Sequence, residues 1–100
     1  MNIIEEVNKL HELFPGGFLR MSHPLYTTVT YLHHVFIFYQ LGKKDEVELF
    51  LKRMYREIER SINKEYFEEK GLVELEEGLM DFIEKIENHL DINARGRMVE

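Results

Sequence analysis

The run Leu25–Leu41, LYTTVTYLHHVFIFYQL, is seventeen residues long without a formally charged side chain, in a chain where 32% of residues are charged. A segment so poor in charge is expected to be the wall against which the other elements pack. Pro24 just before it and Gly42 just after it follow the usual asymmetry of helix termini. As a helix it would extend ~26 Å at about 1.5 Å per residue. Leu25, Val29, Leu32, Phe36 and Tyr39 fall on one face, with Tyr31, Val35 and Phe38 beside them. Only Thr27, Thr30, His33, His34 and Gln40 break the apolar surface, so burial on most sides is expected. Thr, Val, Ile, Tyr and Phe also favour strands, but seventeen uninterrupted residues exceed the usual strand of about 3–10. A membrane span needs about 20 apolar residues, and three Thr, two His and a Gln interrupt this run. The start MNIIEEVNK lacks the basic and then apolar pattern of a signal peptide.

With 100 residues, 44% of them hydrophobic, the chain is long enough for one domain with a real core. The absence of cysteine excludes disulfides, thiolate metal sites and cysteine nucleophiles, and suits a reducing, cytoplasmic setting.

Three further helices are expected. Ile3, Ile4, Val7, Leu10, Leu13 and Phe14 recur at helical spacing through Asn2–Phe14, with Glu5 and Glu6 favourable in the first turn. Pro15, Gly16 and Gly17 stop it. The following loop, FPGGFLRMSH, reads as a helix-to-helix turn. It has two glycines but neither the preceding strand nor the Lys-Ser/Thr of a phosphate-binding loop. From Asp45 to Lys70 runs the longest periodic segment, with Val47, Phe50, Leu51, Met54, Ile58, Ser61, Ile62 and Tyr66 within one broad face. Gly71 then marks a C-terminal stop. Leu72, Leu75, Leu79, Phe82, Ile83, Ile86 and Leu90 carry the last helix, Leu72–Asp91, with Gly78 on the flank of the stripe suggesting close approach of another helix.

The hairpin Tyr31–Met54 is similar to half of a tetratricopeptide unit, with a large residue, the GKKDE turn and apolar positions beyond it. It departs where that repeat has small residues, at Val35, Val47 and Met54, and no second copy follows. No family is assigned on it. YFEEKGLVELEEG could open a winged helix-turn-helix, but LVEL is short for a wing strand and no second strand follows.

The expected fold is therefore all-α: a four-helix antiparallel bundle-like single domain over 1–92, with a long third helix and a flexible tail over 93–100. The third helix, at ~39 Å, must overhang its neighbours or bend near Asn63. Overhang would leave Tyr66 and Phe67 in want of a partner, most simply a second copy of the chain.

Charge is unevenly spread. Residues 72–91 carry seven acidic and one basic side chain, net −6, equal to the net charge of the whole chain. Glu74, Glu77, Asp81 and Glu84 form an acidic ridge on that helix. Arg53, Arg56, Arg60 and Lys64 form a basic stripe on the third, opposite its apolar face, with Leu49 and Phe67 near its ends. Charged faces can be merely solvated, but opposite stripes also favour association and steer encounter. The expected function is that of a small non-enzymatic regulatory or adaptor protein. It would act through protein–protein contacts of these faces, with another protein or with itself as a homodimer. The alternative is a nucleic-acid-associated regulator using the basic stripe, against which stand a pI near 5.4 and the interleaved Glu57 and Glu59. No catalytic residue, metal site or cofactor is assigned. No Glu-x-x-His occurs, and neighbouring His33 and His34 diverge by ~100° on a helix, leaving His34 to a polar patch with Thr27, Thr30 or Tyr31. Arg20 and His23 could hold an anion, but a loop contact is the simpler reading.

Overall fold

Asn2 opens the fold. Its side-chain oxygen accepts from the backbone N–H of Ile4 at 3.1 Å and of Glu5 at 3.3 Å, occupying two amides that a helix start leaves without partners. Helix α1, Ile3–Leu13, follows and buries Ile3, Val7 and Leu10. The structure is a computed structural model that describes residues 1–14 and 23–96. The remaining helices are α2 (Tyr26–Gln40), α3 (Lys44–Glu59), α4 (Ser61–Glu69) and α5 (Val73–Leu90). No strand occurs among the described residues, so the chain is all-α. The expected Gly-Gly turn and Arg20 fall in 15–22, outside the described residues.

Gly42 and Gly71 adopt the left-handed conformation, at φ 70° and 64°. In each turn two amides fold back on the carbonyls of the helix just ended: Lys43 to Phe38 at 2.9 Å and Gly42 to Tyr39 at 3.1 Å, then Leu72 to Phe67 at 2.8 Å and Gly71 to Glu68 at 3.2 Å. That pattern of closure favours glycine at its αL position.

Among the described residues five helices stand where four were expected, because the long third one breaks, the bend near Asn63 that its length allowed for. Arg60 is extended, φ −63° and ψ 137°, and ends α3 while starting α4. Asn63 holds the break: buried, its side-chain N–H₂ donates to the Glu57 carbonyl at 2.6 Å, a carbonyl that α3 could no longer satisfy alone. The break also turns the phase of the apolar stripe. In one continuous helix, at about 100° per residue, Ile62 would face the core and Phe67 would point away from it. Instead Ile62 is 62% exposed and Phe67 is 1% exposed. The overhang expected at Tyr66 and Phe67 therefore does not exist. Phe67 enters the core, and Tyr66 meets His23 within the same chain.

The hub is α5. It adjoins α1, α3 and α4 and buries Leu75, Leu79, Phe82, Ile83, Ile86 and Glu87. Gly78 lets α1 come close: a Cβ there would stand 3.2 Å from the ends of both Leu10 and Leu13, as its position on the stripe's flank suggests. Glu6 to Lys85, at 2.9 Å, ties the same two helices, and this ion pair holds the Glu6 carboxyl below its usual range. The chain folds into one globule of radius of gyration 13.0 Å, about the value for 100 compactly folded residues.

The uncharged run is a helix, but not the buried wall that its composition suggests. By backbone proximity α2 adjoins α1 and α3, Tyr39 meets His89 of α5 with ring centroids 5.9 Å apart, and Leu25, Thr28, Leu32 and Val35 are buried. Its opposite side faces solvent: Thr27, His33, Ile37 and Gln40 are exposed, with Leu41 just beyond.

Asn93–Gly96, expected to begin a flexible tail, is held against α5. Asp91 takes a left-handed conformation, φ 54°, the Ile92 amide returns to the Glu87 carbonyl at 3.0 Å, and Ala94 is buried. Residues 97–100 of that tail lie outside the described residues.

Candidate interaction surfaces

Two faces of the molecule stand out in composition. The first is the solvent side of α2 with the adjoining edge of α3. Ile37 is 50% exposed and Leu41 61%, and no Asp, Glu, Lys or Arg lies among residues 25–41 to interrupt them. At this seam rings are layered: His34 on Phe50 with centroids 4.6 Å apart and 17° between planes, and Phe38 on Phe50 at 5.6 Å and 11°. The Arg53 guanidinium covers the Phe50 ring at 5.1 Å, a cation–π contact. His34 is anchored as its neighbours suggest, its Nδ1 2.7 Å from the Thr30 carbonyl oxygen.

The second face is the acidic ridge. Glu74, Glu77, Asp81 and Glu84 are all exposed on α5, and none enters an ion pair among the described residues. The ridge lies on α5 and the uncharged face on α2, and α1 and α3 each adjoin both of these helices.

The basic stripe is divided by the break at Arg60. Arg53 and Arg56 stay exposed on α3. Arg60 turns to the Glu57 carboxylate at 3.3 Å. Lys64 on α4 bridges Glu59 at 3.2 Å and Glu76 of α5 at 3.0 Å. Its hydrogen bond to Glu76 and the charge of Glu59 raise the Lys64 pKa. Two of the four cations thus have carboxylate partners within the chain, and Phe67, assigned to the same surface, is internal.

The histidines are distributed by structure. His23 accepts at Nδ1 from the Leu25 amide, 3.1 Å away, so its proton sits on Nε2 and donates to the Tyr66 hydroxyl at 2.9 Å. Burial lowers its pKa, as it must for a base that would lose the Leu25 contact on protonation. Because the folded chain disfavours the charged form, the stability from neutral His23 is full above the unfolded value of about 6.5 and declines as pH falls from there toward the lowered folded value. The expected outcome is a His23 imidazole titrating below 6.5 by NMR, with a melting temperature that falls between pH 7 and pH 5. A His23 midpoint at or above 6.5 contradicts this geometry. His33 and His34 diverge, as adjacent helical residues do, and His33 meets His11 of α1 instead, Nε2 to Nε2 at 3.0 Å. Among the described residues no group of three or more His, Asp or Glu could hold a metal ion. None of the described helices is long and apolar enough to cross a membrane.

Sequence periodicity missed Ile37 and Leu41, because it ranked α2 by its total apolarity. The signal available was the excess: apolar side chains run nearly all round α2, more than its neighbours can cover. Comparison of the chain with protein families, with curated proteins and with solved structures gave no match.

Proposed function

We propose that this is a small non-enzymatic adaptor or regulatory protein that works by protein–protein contact and associates with copies of itself through the solvent side of α2. The observation that carries this reading is the half-exposed aliphatic pair Ile37 and Leu41 on a helix with no charge to solvate it. Exposed apolar surface rimmed by charge is the usual mark of a contact site. The acidic ridge, on α5, supplies a second surface, suited to a basic partner. Non-catalytic action is favoured because His23 and His34, the histidines nearest to a cleft role, are engaged by Leu25, Tyr66 and Thr30.

The nucleic-acid reading retains Arg53 and Arg56 but loses support at Arg60 and Lys64, whose charges are already matched within the chain. Paired reversal, Arg53→Glu with Arg56→Glu, separates the two. On the protein-contact reading the wild-type chain is not retained by single- or double-stranded nucleic acid at moderate salt, and the reversal changes nothing in that assay. Retention of the wild type with steep salt dependence, abolished by the reversal, would establish the alternative.

A further inference from the structure

The contact between His11 and His33 joins two helices at the surface by two imidazole nitrogens. Both residues are exposed, and the Nε2 atoms stand 3.0 Å apart with the rings at 80°. A hydrogen bond at this distance requires one ring to carry its proton on Nε2 and the other on Nδ1. If the donor ring moves its own proton to Nδ1, both Nε2 lone pairs are free, with no net gain or loss of protons. With the ring centroids 5.2 Å apart the two nitrogens point nearly at each other, so both rings turn about their Cβ–Cγ bonds to aim at a common ion. At this spacing two metal–nitrogen bonds of about 2.0–2.1 Å meet at roughly a right angle. That is the cis angle of a square-planar or octahedral ion, whereas a tetrahedral ion needs the nitrogens about 3.3 Å apart.

We infer that His11 and His33 form a two-imidazole site for a late first-row divalent metal, Cu²⁺ or Ni²⁺ ahead of Zn²⁺. The order follows from the cis angle and from the affinity series that peaks at copper. The two ligands come from α1 and α2, which are separated in the chain by residues 14–25, so binding clips the first helix to the second. Neutral imidazole is the ligand form, so binding is read above the imidazole pKa. The remaining coordination positions are open to water or to the same pair from a second copy. His33 is the middle residue of α2, so a two-fold axis crossing the helix there would bring both pairs together.

The experiment is calorimetric titration of the metal-free full chain with Cu²⁺, Ni²⁺ and Zn²⁺ salts near pH 7.5, followed by thermal unfolding with each ion. Saturable binding is expected, with a melting temperature raised by several degrees. His11→Ala and His33→Ala should each weaken binding by about tenfold or more and remove the thermal shift, while His89→Ala preserves both. One ion per chain identifies water as completing the site, and one ion per two chains identifies the second copy. Circular dichroism confirms that the variants remain helical, and His11→Gln and His33→Gln serve if an alanine variant does not. No saturable binding, or binding that survives both His11 and His33 substitutions, overturns the inference.

Discussion

Phe67→Ala is expected to cost about 3–5 kcal/mol of unfolding free energy, the range for truncating a buried phenylalanine. The ring is 1% exposed and belongs to the core, and it arrives there only because the chain breaks at Arg60. Against a typical total of about 5–15 kcal/mol for a small domain, that loss would be visible as a large drop in the urea midpoint. Ile62→Ala, five residues earlier and 62% exposed, should change stability by no more than about 0.5 kcal/mol. An unbroken third helix would reverse the two results, with Ile62 structural and Phe67 dispensable. The pair therefore tests the break itself.

Glu87→Ala is the second large effect expected, a loss of about 3 kcal/mol or more. Glu87 is 3% exposed. Its carboxylate accepts from the amides of Ala94 at 2.8 Å and Arg95 at 3.1 Å and from the Arg95 guanidinium at 2.7 Å. Removing it leaves a mostly buried Arg95 without its counter-charge, and breaking one side of a buried pair costs far more than a surface pair is worth. The chain after Asp91 can relieve part of this by lifting away from α5, which places the expected loss at the lower end of the range. Equilibrium unfolding in urea reads it directly. Loss of less than about 1 kcal/mol would mean that Asn93–Gly96 is not held by this carboxylate.

The first helix, the uncharged helix and the last helix were legible because their apolar positions keep strict helical spacing and because Pro24, Gly42 and Gly71 mark their limits. The break at Arg60 was legible only as one of two options, overhang or a bend near Asn63, because no proline or glycine marks it and the stripe of α3 continues plausibly into Ile62. The one local sign is Asn63, a polar residue that has to be buried for Phe67 to be buried. The side chain of Asn63 substitutes for a helical amide at the Glu57 carbonyl. Periodicity sees apolar positions and cannot register that substitution.

Burial of α2 was over-read for a related reason. Composition tells how apolar a helix is, but not how many neighbours will cover it. The last helix, with fewer aromatic residues but a clean stripe, buries more of its side chains. The acidic ridge could be read off directly, since four carboxylates at 3-4 spacing opposite a stripe of Leu, Phe and Ile leave only one orientation for the helix. Lys64 could not be read in that way. Glu57 stands three residues before Arg60, within reach on any helix, but Glu76 reaches Lys64 only across the reversal at Gly71.

Sedimentation equilibrium of the chain, with chelator present, at low and high salt and across a range of concentrations, addresses the α2 contact most directly. An association above the 12.1 kDa chain mass is predicted at both salt concentrations, because an interface without charge is not screened. Ile37→Glu combined with Leu41→Glu should return the mass to that of one chain while leaving the helical circular dichroism unchanged. A single-chain mass for the wild type throughout, or an association that ignores both substitutions, would contradict the assignment of α2 as the contact face.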